Sequence, residues 1–152
     1  MPKRRDLIHM TEDETLDFLA TEKTLQVATL DRHGAPHLTT LWYAVVDGHI
    51  AFHTFTKSQK IVNLERDPRI SVLVESGDSY DQLRGVSIQG TAKLIEDDSK
   101  YRYVGEVIRR YRDIPEDQIE SAARQVAAKR TVVLVEPDKV ITWDHRKLAG
   151  GY

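Results

Sequence analysis

Apolar and polar positions alternate with a period of two over much of Leu25 to Phe55, and on either side of that stretch the spacing lengthens to that of a helix. Thr11 followed by Glu14 has the form of a capping box, and Leu16, Leu19 and Ala20 recur at helical spacing, which predicts a helix over about Thr11 to Glu22. Leu25, Val27 and Thr29 then alternate with Gln26, Ala28 and Leu30, and the polar tip from Asp31 to Ala35 turns the chain into a second strand over His37 to Val46. Asp47 and Gly48 form the next tight turn, and Ile50 to Phe55 make a third strand.

Ser58 caps a helix carrying Ile61, Val62 and Leu64, which Asp67 and Pro68 end before a strand over Ile70 to Glu75. Val86 to Ile95 is the next strand. Ser99 to Arg112 then places Val104, Val107, Ile108 and Tyr111 on one helical stripe, and Pro115 opens a helix with Ile119, Ala122, Ala123 and Val126. Thr131 to Val135 and Lys139 to Trp143 read as a final hairpin around Glu136, Pro137 and Asp138. Six to seven short strands in hairpin order with helices between them predict one α+β domain over residues 1–152, a mostly antiparallel barrel with flanking helices and not a doubly wound sheet. An interior this small is filled by side chains, so a ligand binds outside it, in a groove that a homodimer would deepen.

Charge and composition narrow the chemistry. The 22 Lys and Arg against 24 Asp and Glu give no field that draws the chain to nucleic acid or an anionic membrane, and no apolar run has the length of a membrane span. The absence of Cys removes disulfides, thiolate metal sites and cysteine nucleophiles. The basic start runs into His9, Glu12, Asp13 and Glu14 where a signal peptide needs apolar residues, so the expected compartment is the cytoplasm. His33, His37, His49 and His53 form no HExxH motif, and no metal site is expected. No GxSxG elbow is present for a serine hydrolase.

The segment from Phe52 to Arg69, FHTFTKSQKIVNLERDPR, carries the most information. A strand ends in Thr54 and a helix starts with Lys57, Ser58 and Lys60 near its first turn, so hydroxyls, ammonium groups and unpartnered amides converge as an anion cradle. Read blandly, the same residues are a capped, solvated helix start.

Thr54, Ser58, Lys60 and the run Asp67, Pro68, Arg69 resemble the cofactor-phosphate segment of the pyridoxamine-phosphate-oxidase-like superfamily. Gln59 departs from the basic residue usual there in the flavin-mononucleotide (FMN) oxidases, and Thr39 and Thr40 stand near where those enzymes place a phosphate-binding Arg. NLERDPR, RGVSIQGTAKLIED and TVVLVEPDKVITW resemble the actinobacterial branch that uses the deazaflavin coenzyme F-420. The resemblance covers nearly the whole chain and implies a split β-barrel homodimer acting as a deazaflavin-dependent oxidoreductase on a small unsaturated or quinone-like molecule. An FMN flavoprotein and a non-catalytic cofactor- or haem-binding barrel are the alternatives. The LAGGY ending does not match the substrate-binding arm of true pyridoxamine-phosphate oxidases, which argues against vitamin B6 as substrate.

On this resemblance the cofactor-binding candidates are Thr40, Trp42, His53, Thr54, Lys57, Ser58, Lys60, Tyr80, Arg84 and Trp143. Trp42 offers a face for the cofactor ring, or else packs in the core or an interface. His53 has the chemistry to hydrogen-bond a cofactor or substrate carbonyl, and Arg84 that to guide the anionic polyglutamate tail of the deazaflavin. Tyr43, Tyr80 and His53 are donors by residue type, but no residue is assigned as catalytic. The ending from Trp143 to Lys147 either crosses to a partner subunit or folds on its own barrel. Arg109, Arg110 and Arg112 with Glu116, Asp117 and Glu120 read as a solvated mixed surface.

Overall fold

A computed structural model describes residues 1–148. Helices α1 (Arg4–Leu7) and α2 (Glu12–Thr21) precede strands β1 (Leu25–Leu30), β2 (Pro36–Leu41), β3 (Ala44–Val46) and β4 (His49–Phe55). Then follow α3 (Gln59–Arg66), β5 (Arg69–Ser76), β6 (Arg84–Ile95), α4 (Lys100–Tyr111), α5 (Ile119–Ala127) and β7 (Arg130–Asp144). The seven strands form one antiparallel sheet in the order β2-β1-β5-β6-β7-β4-β3, a split β-barrel of α+β class. The expected capping box is present: Thr11 accepts from the Glu14 amide and Glu14 accepts from that of Thr11. Phe18 and Leu19 are the residues α2 buries, whereas Leu16 stays exposed.

Two sequence readings are corrected. The strand expected over His37 to Val46 breaks at Trp42 and Tyr43, because β2 pairs with β1 while β3 pairs with β4 at the opposite sheet edge. At the crossing the Tyr43 amide donates to the Tyr111 hydroxyl in place of a ladder partner. The hairpin expected around Pro137 is one continuous strand, β7, paired with β6 from Val132 to Asp144. Gly90 pairs with Pro137 and Gln89 with Lys139, so Asp138 is the extra residue of a bulge, the place in a sheet where a residue without an amide hydrogen is tolerated.

The barrel interior is filled by Leu25, Val27, Phe52, Val72, Val74, Val86, Val133 and Val135. Their alternation along each strand makes the interior apolar and turns the polar set outward. A second apolar layer, with Ile95, Val104, Ile108, Ile119, Ala123, Ala127 and Val132, fixes α4 and α5 against the outer side of β6 and β7. Among the described residues no helix is long and apolar enough to cross a membrane.

Candidate functional site

Successive residues at the end of β4 serve two places. Thr54 is buried and pairs with Thr131 on β7, and its Oγ1 lies 3.4 Å from the Oγ of Ser58. Ser58 is the N-cap of α3, accepting from the Ile61 amide at 3.4 Å, which leaves the first-turn amides of Gln59 and Lys60 without helical partners. The intervening turn is pinned by Thr56, whose amide donates to the Lys129 carbonyl at 2.9 Å and whose hydroxyl meets that of Thr131. Lys57 is exposed; Lys60 is half-buried, and burial pushes its ammonium group down from the ordinary lysine value. Neither is paired with a carboxylate among the described residues.

Gln59 points along the helix. Its side-chain amide donates to Asn63 Oδ1 at 2.7 Å, and fully buried Asn63 donates to Thr29 Oγ1 at 3.0 Å, so the residue that departs from the usual basic one is an exposed side chain tied to a buried polar pair. The Asp67-Pro68-Arg69 run closes on itself: Asp67 accepts from the Arg69 amide and guanidinium, which holds its carboxyl down to about 2. That motif shapes the entry to β5 and does not reach the cradle start.

On the other side of β4, His53 and Phe55 face α4 and α5 across a cleft of roughly 400 Å³ that also meets Trp42, Arg112, Lys129 and Arg130. Trp42 stacks on Tyr111 with ring centroids 4.4 Å apart and planes 8° from parallel, so one face is covered while half its surface stays accessible. The Arg130 guanidinium lies 4.2 Å above the Phe55 ring, and its Nη1 is 3.3 Å from His53 Nδ1. A guanidinium only donates, so Nδ1 is the acceptor and the ring proton resides on Nε2. Burial, then the charges of Arg130 and Arg112, lower the His53 pKa to about 4, which keeps the ring neutral at physiological pH.

The remaining sequence candidates fall elsewhere. Thr40 is on the outward face of edge strand β2, donating to the Leu25 carbonyl at 3.2 Å. Arg84 pairs in register with Asp144 and sits 5.2 Å from the Phe18 ring; Trp143 lies across Gly85, where an added Cβ would be 2.1 Å from its Cζ2; Tyr80 meets His145 edge-on at 4.8 Å. Thr54 is beside Thr131, at the opposite end of β7 from Asp144, and β6 alone separates Arg84 from Ile95 by about 35 Å of strand. Within one chain, Tyr80, Arg84 and Trp143 therefore do not join the cradle. The ending folds on its own barrel through Leu148: Arg146 pairs with Asp144, and Lys147 with Glu14 and the His9 carbonyl. The last four residues of LAGGY lie outside the described residues.

Tyr43 is committed as well, its hydroxyl donating to the Leu19 carbonyl at 2.6 Å beneath the guanidinium of Arg110. The sequence reading omitted Phe55 and Arg130 and placed Arg112 on a mixed surface. The signals that identify them are the two-residue step from His53 to Phe55 and the cationic pair Lys129-Arg130 at the head of a strand.

The family model described as pyridoxamine 5'-phosphate oxidase matches residues 11–144. The conserved hypothetical protein Rv2991 of Mycobacterium tuberculosis is 44% identical, with 97% of this chain and 93% of that one covered at a TM-score of 0.92. The haem-storage protein HutZ of Vibrio cholerae has the same fold at 18% identity, TM-score 0.68, with 86% and 94% covered. A structure named F-420 reductase shares it at 20% identity, TM-score 0.61, with 92% and 98% covered. No curated protein sequence matches the chain.

Proposed function

The chain belongs to the pyridoxamine 5'-phosphate oxidase family, and from that premise we propose that it is an oxidoreductase using the deazaflavin coenzyme F-420 on a small unsaturated or quinone-like molecule, in a site completed by a second copy of the chain. The observation that carries this reading is the start of α3, where half-buried Lys60, with no carboxylate partner among the described residues, lies in the first turn behind the N-cap Ser58, whose hydroxyl meets that of Thr54. Those residues fit a phosphate: Lys60 and Lys57 hold it by charge, and the hydroxyls and first-turn amides hold it by hydrogen bonds. When bound, the coenzyme supplies the hydride chemistry.

Gln59 supports the deazaflavin over FMN. Its commitment to Asn63 leaves the cradle without the extra cation, which suits the singly charged phosphodiester of F-420 better than the doubly charged monoester of FMN. A chain of the same fold named F-420 reductase is consistent with this choice. His53, neutral with its proton on Nε2, is a hydrogen-bond donor and no acid at neutral pH. The second copy enters the reading because Tyr80, Arg84 and Trp143 reach a cradle only if it belongs to another subunit.

Fluorescence titration of the cofactor-free protein with F-420 and with FMN, alongside Lys60→Ala, tests the reading. The expected result is preference for F-420, weakened by roughly tenfold or more in the variant, as for loss of one charge-assisted contact. Preference for FMN assigns the flavoprotein alternative, and binding of neither overturns the proposal.

A further inference from the structure

The charges of α4 and α5 are sorted by face. Away from the cleft, Glu106 and Glu116 pair with Arg109 at 2.6 and 2.5 Å, and Glu120 pairs with Arg124 at 3.2 Å. Arg110 is spent on the carbonyls of Tyr43, Leu19, Ala20 and Glu22. The cleft side has Arg112, Lys129 and Arg130, and among the described residues its lining contains no Asp or Glu. Three cations around a recess without a counter-charge repel one another, an arrangement that an incoming anion relieves.

Arg130 is held for such a role. Phe55 supports its planar face, His53 accepts from one nitrogen, and its own carbonyl accepts from Lys100 Nζ at 3.0 Å, so the guanidinium is positioned before any ligand arrives. His53 Nε2–H adds a neutral donor, while Trp42, Val107 and Val126 make the rest of the wall flat and apolar.

We propose that this cleft binds a planar, conjugated carboxylic acid, its carboxylate between Arg112, Lys129 and Arg130 and its flat body against the accessible face of Trp42. As an assignment of substrate class the inference rests on the oxidoreductase reading above; as an assignment of a binding site it does not. The volume suits a molecule the size of a hydroxycinnamate. The same carboxylate chemistry is available from the glutamate tail of the coenzyme, which lacks a flat body, so the two sources are separable.

The test is calorimetric titration of the full chain, free of cofactor, with 4-hydroxycinnamate, with its uncharged amide and with γ-glutamylglutamate as a tail mimic. The expected result is that the acid binds roughly tenfold or more tightly than either of the others, and that Arg112→Gln weakens it to a similar degree. Arg112 is exposed and makes no ion pair among the described residues, so its replacement leaves folding intact, and Trp42→Leu serves as the second variant for the stacking wall. Equal binding of acid and amide, tighter binding of γ-glutamylglutamate, or indifference to Arg112→Gln each overturns the proposal. Binding of the acid by a protein that fails to bind F-420 removes the oxidoreductase reading and keeps this site; the converse result removes this site alone.

Discussion

His53 Nδ1 accepts a hydrogen bond from Arg130 at 3.3 Å, and the burial of the ring in this contact, with the charge beside it, governs its response to acid. The folded ring titrates near 4 because it is buried beside two guanidinium groups, against about 6.5 when the chain unfolds. Below 6.5 the unfolded state takes up a proton that the native state refuses, so stability is full above that pH and falls as pH drops from 6.5 to 4. The loss amounts to about 3 kcal/mol. The depressed carboxylates Glu14 and Asp67 lose their contribution as pH falls from 4.5 and 3.8 respectively to about 2, so they touch only the acid end of this window. Urea midpoints measured across pH 4 to 7 should therefore slope in the native protein and flatten in His53→Gln. An equal slope in the variant would assign the pH dependence to other groups.

Trp143 depends on Gly85 in the same structural sense. The two pair in register on β7 and β6, and Gly85→Ala would drive a methyl group into the indole. The expected cost is about 1–3 kcal/mol, the usual range for overpacking. Combining it with Trp143→Leu should cost less than the sum of the two single changes, since the clash and the indole disappear together. Additive losses in denaturant unfolding would show that the indole does not rest on the glycine.

The features visible in the sequence are those made by neighbours along the chain. The capping box at Thr11, the turn at Asp47 and Gly48, where both residues have positive φ, and the cap of α3 by Ser58 each span a few residues. What the sequence hid depends on distant pairing. Trp42 and Tyr43 break a strand because the chain crosses between sheet edges, and Pro137 sits inside a strand because a bulge opposite Gly90 absorbs it. The His53–Arg130 contact joins residues 77 positions apart, so alternation could aim His53 outward without naming what it meets. The same long register separates Arg84 and Trp143 from Thr54, which residue chemistry alone groups together.

Gln59 is the position where cofactor choice and stability meet. Gln59→Arg adds a cation beside Lys60 and removes the donor to Asn63. FMN affinity relative to F-420 should rise roughly tenfold, the effect of one added charge on a second phosphate charge, while stability falls by about 1 kcal/mol. The comparison requires both titrations on the same preparation, with thermal unfolding as the control. An unchanged affinity ratio would remove the charge argument for F-420 and leave Gln59 with a packing role only.

Thr39 and Thr40 are neighbours on β2 with opposite environments, which makes them a matched pair. Thr39 Oγ1 is buried without a hydrogen-bond partner among the described residues, on the inward face opposite Val27, whereas Thr40 points outward and donates to the Leu25 carbonyl. A buried hydroxyl without a partner carries its desolvation cost uncompensated, and valine has nearly the same shape and suits a strand. Thr39→Val should thus stabilise the fold by about 1 kcal/mol, a rise of about 2–4 °C in Tm for a chain of this size. Thr40→Val loses a bond that water partly replaces, so its change should be near zero or slightly destabilising. The sign difference between adjacent positions is the informative quantity, because strand propensity is common to both. A Thr39→Val variant that melts lower than the native protein would mean that its hydroxyl is satisfied in solution, and calorimetry in the presence of F-420 would then show whether a ligand supplies the partner.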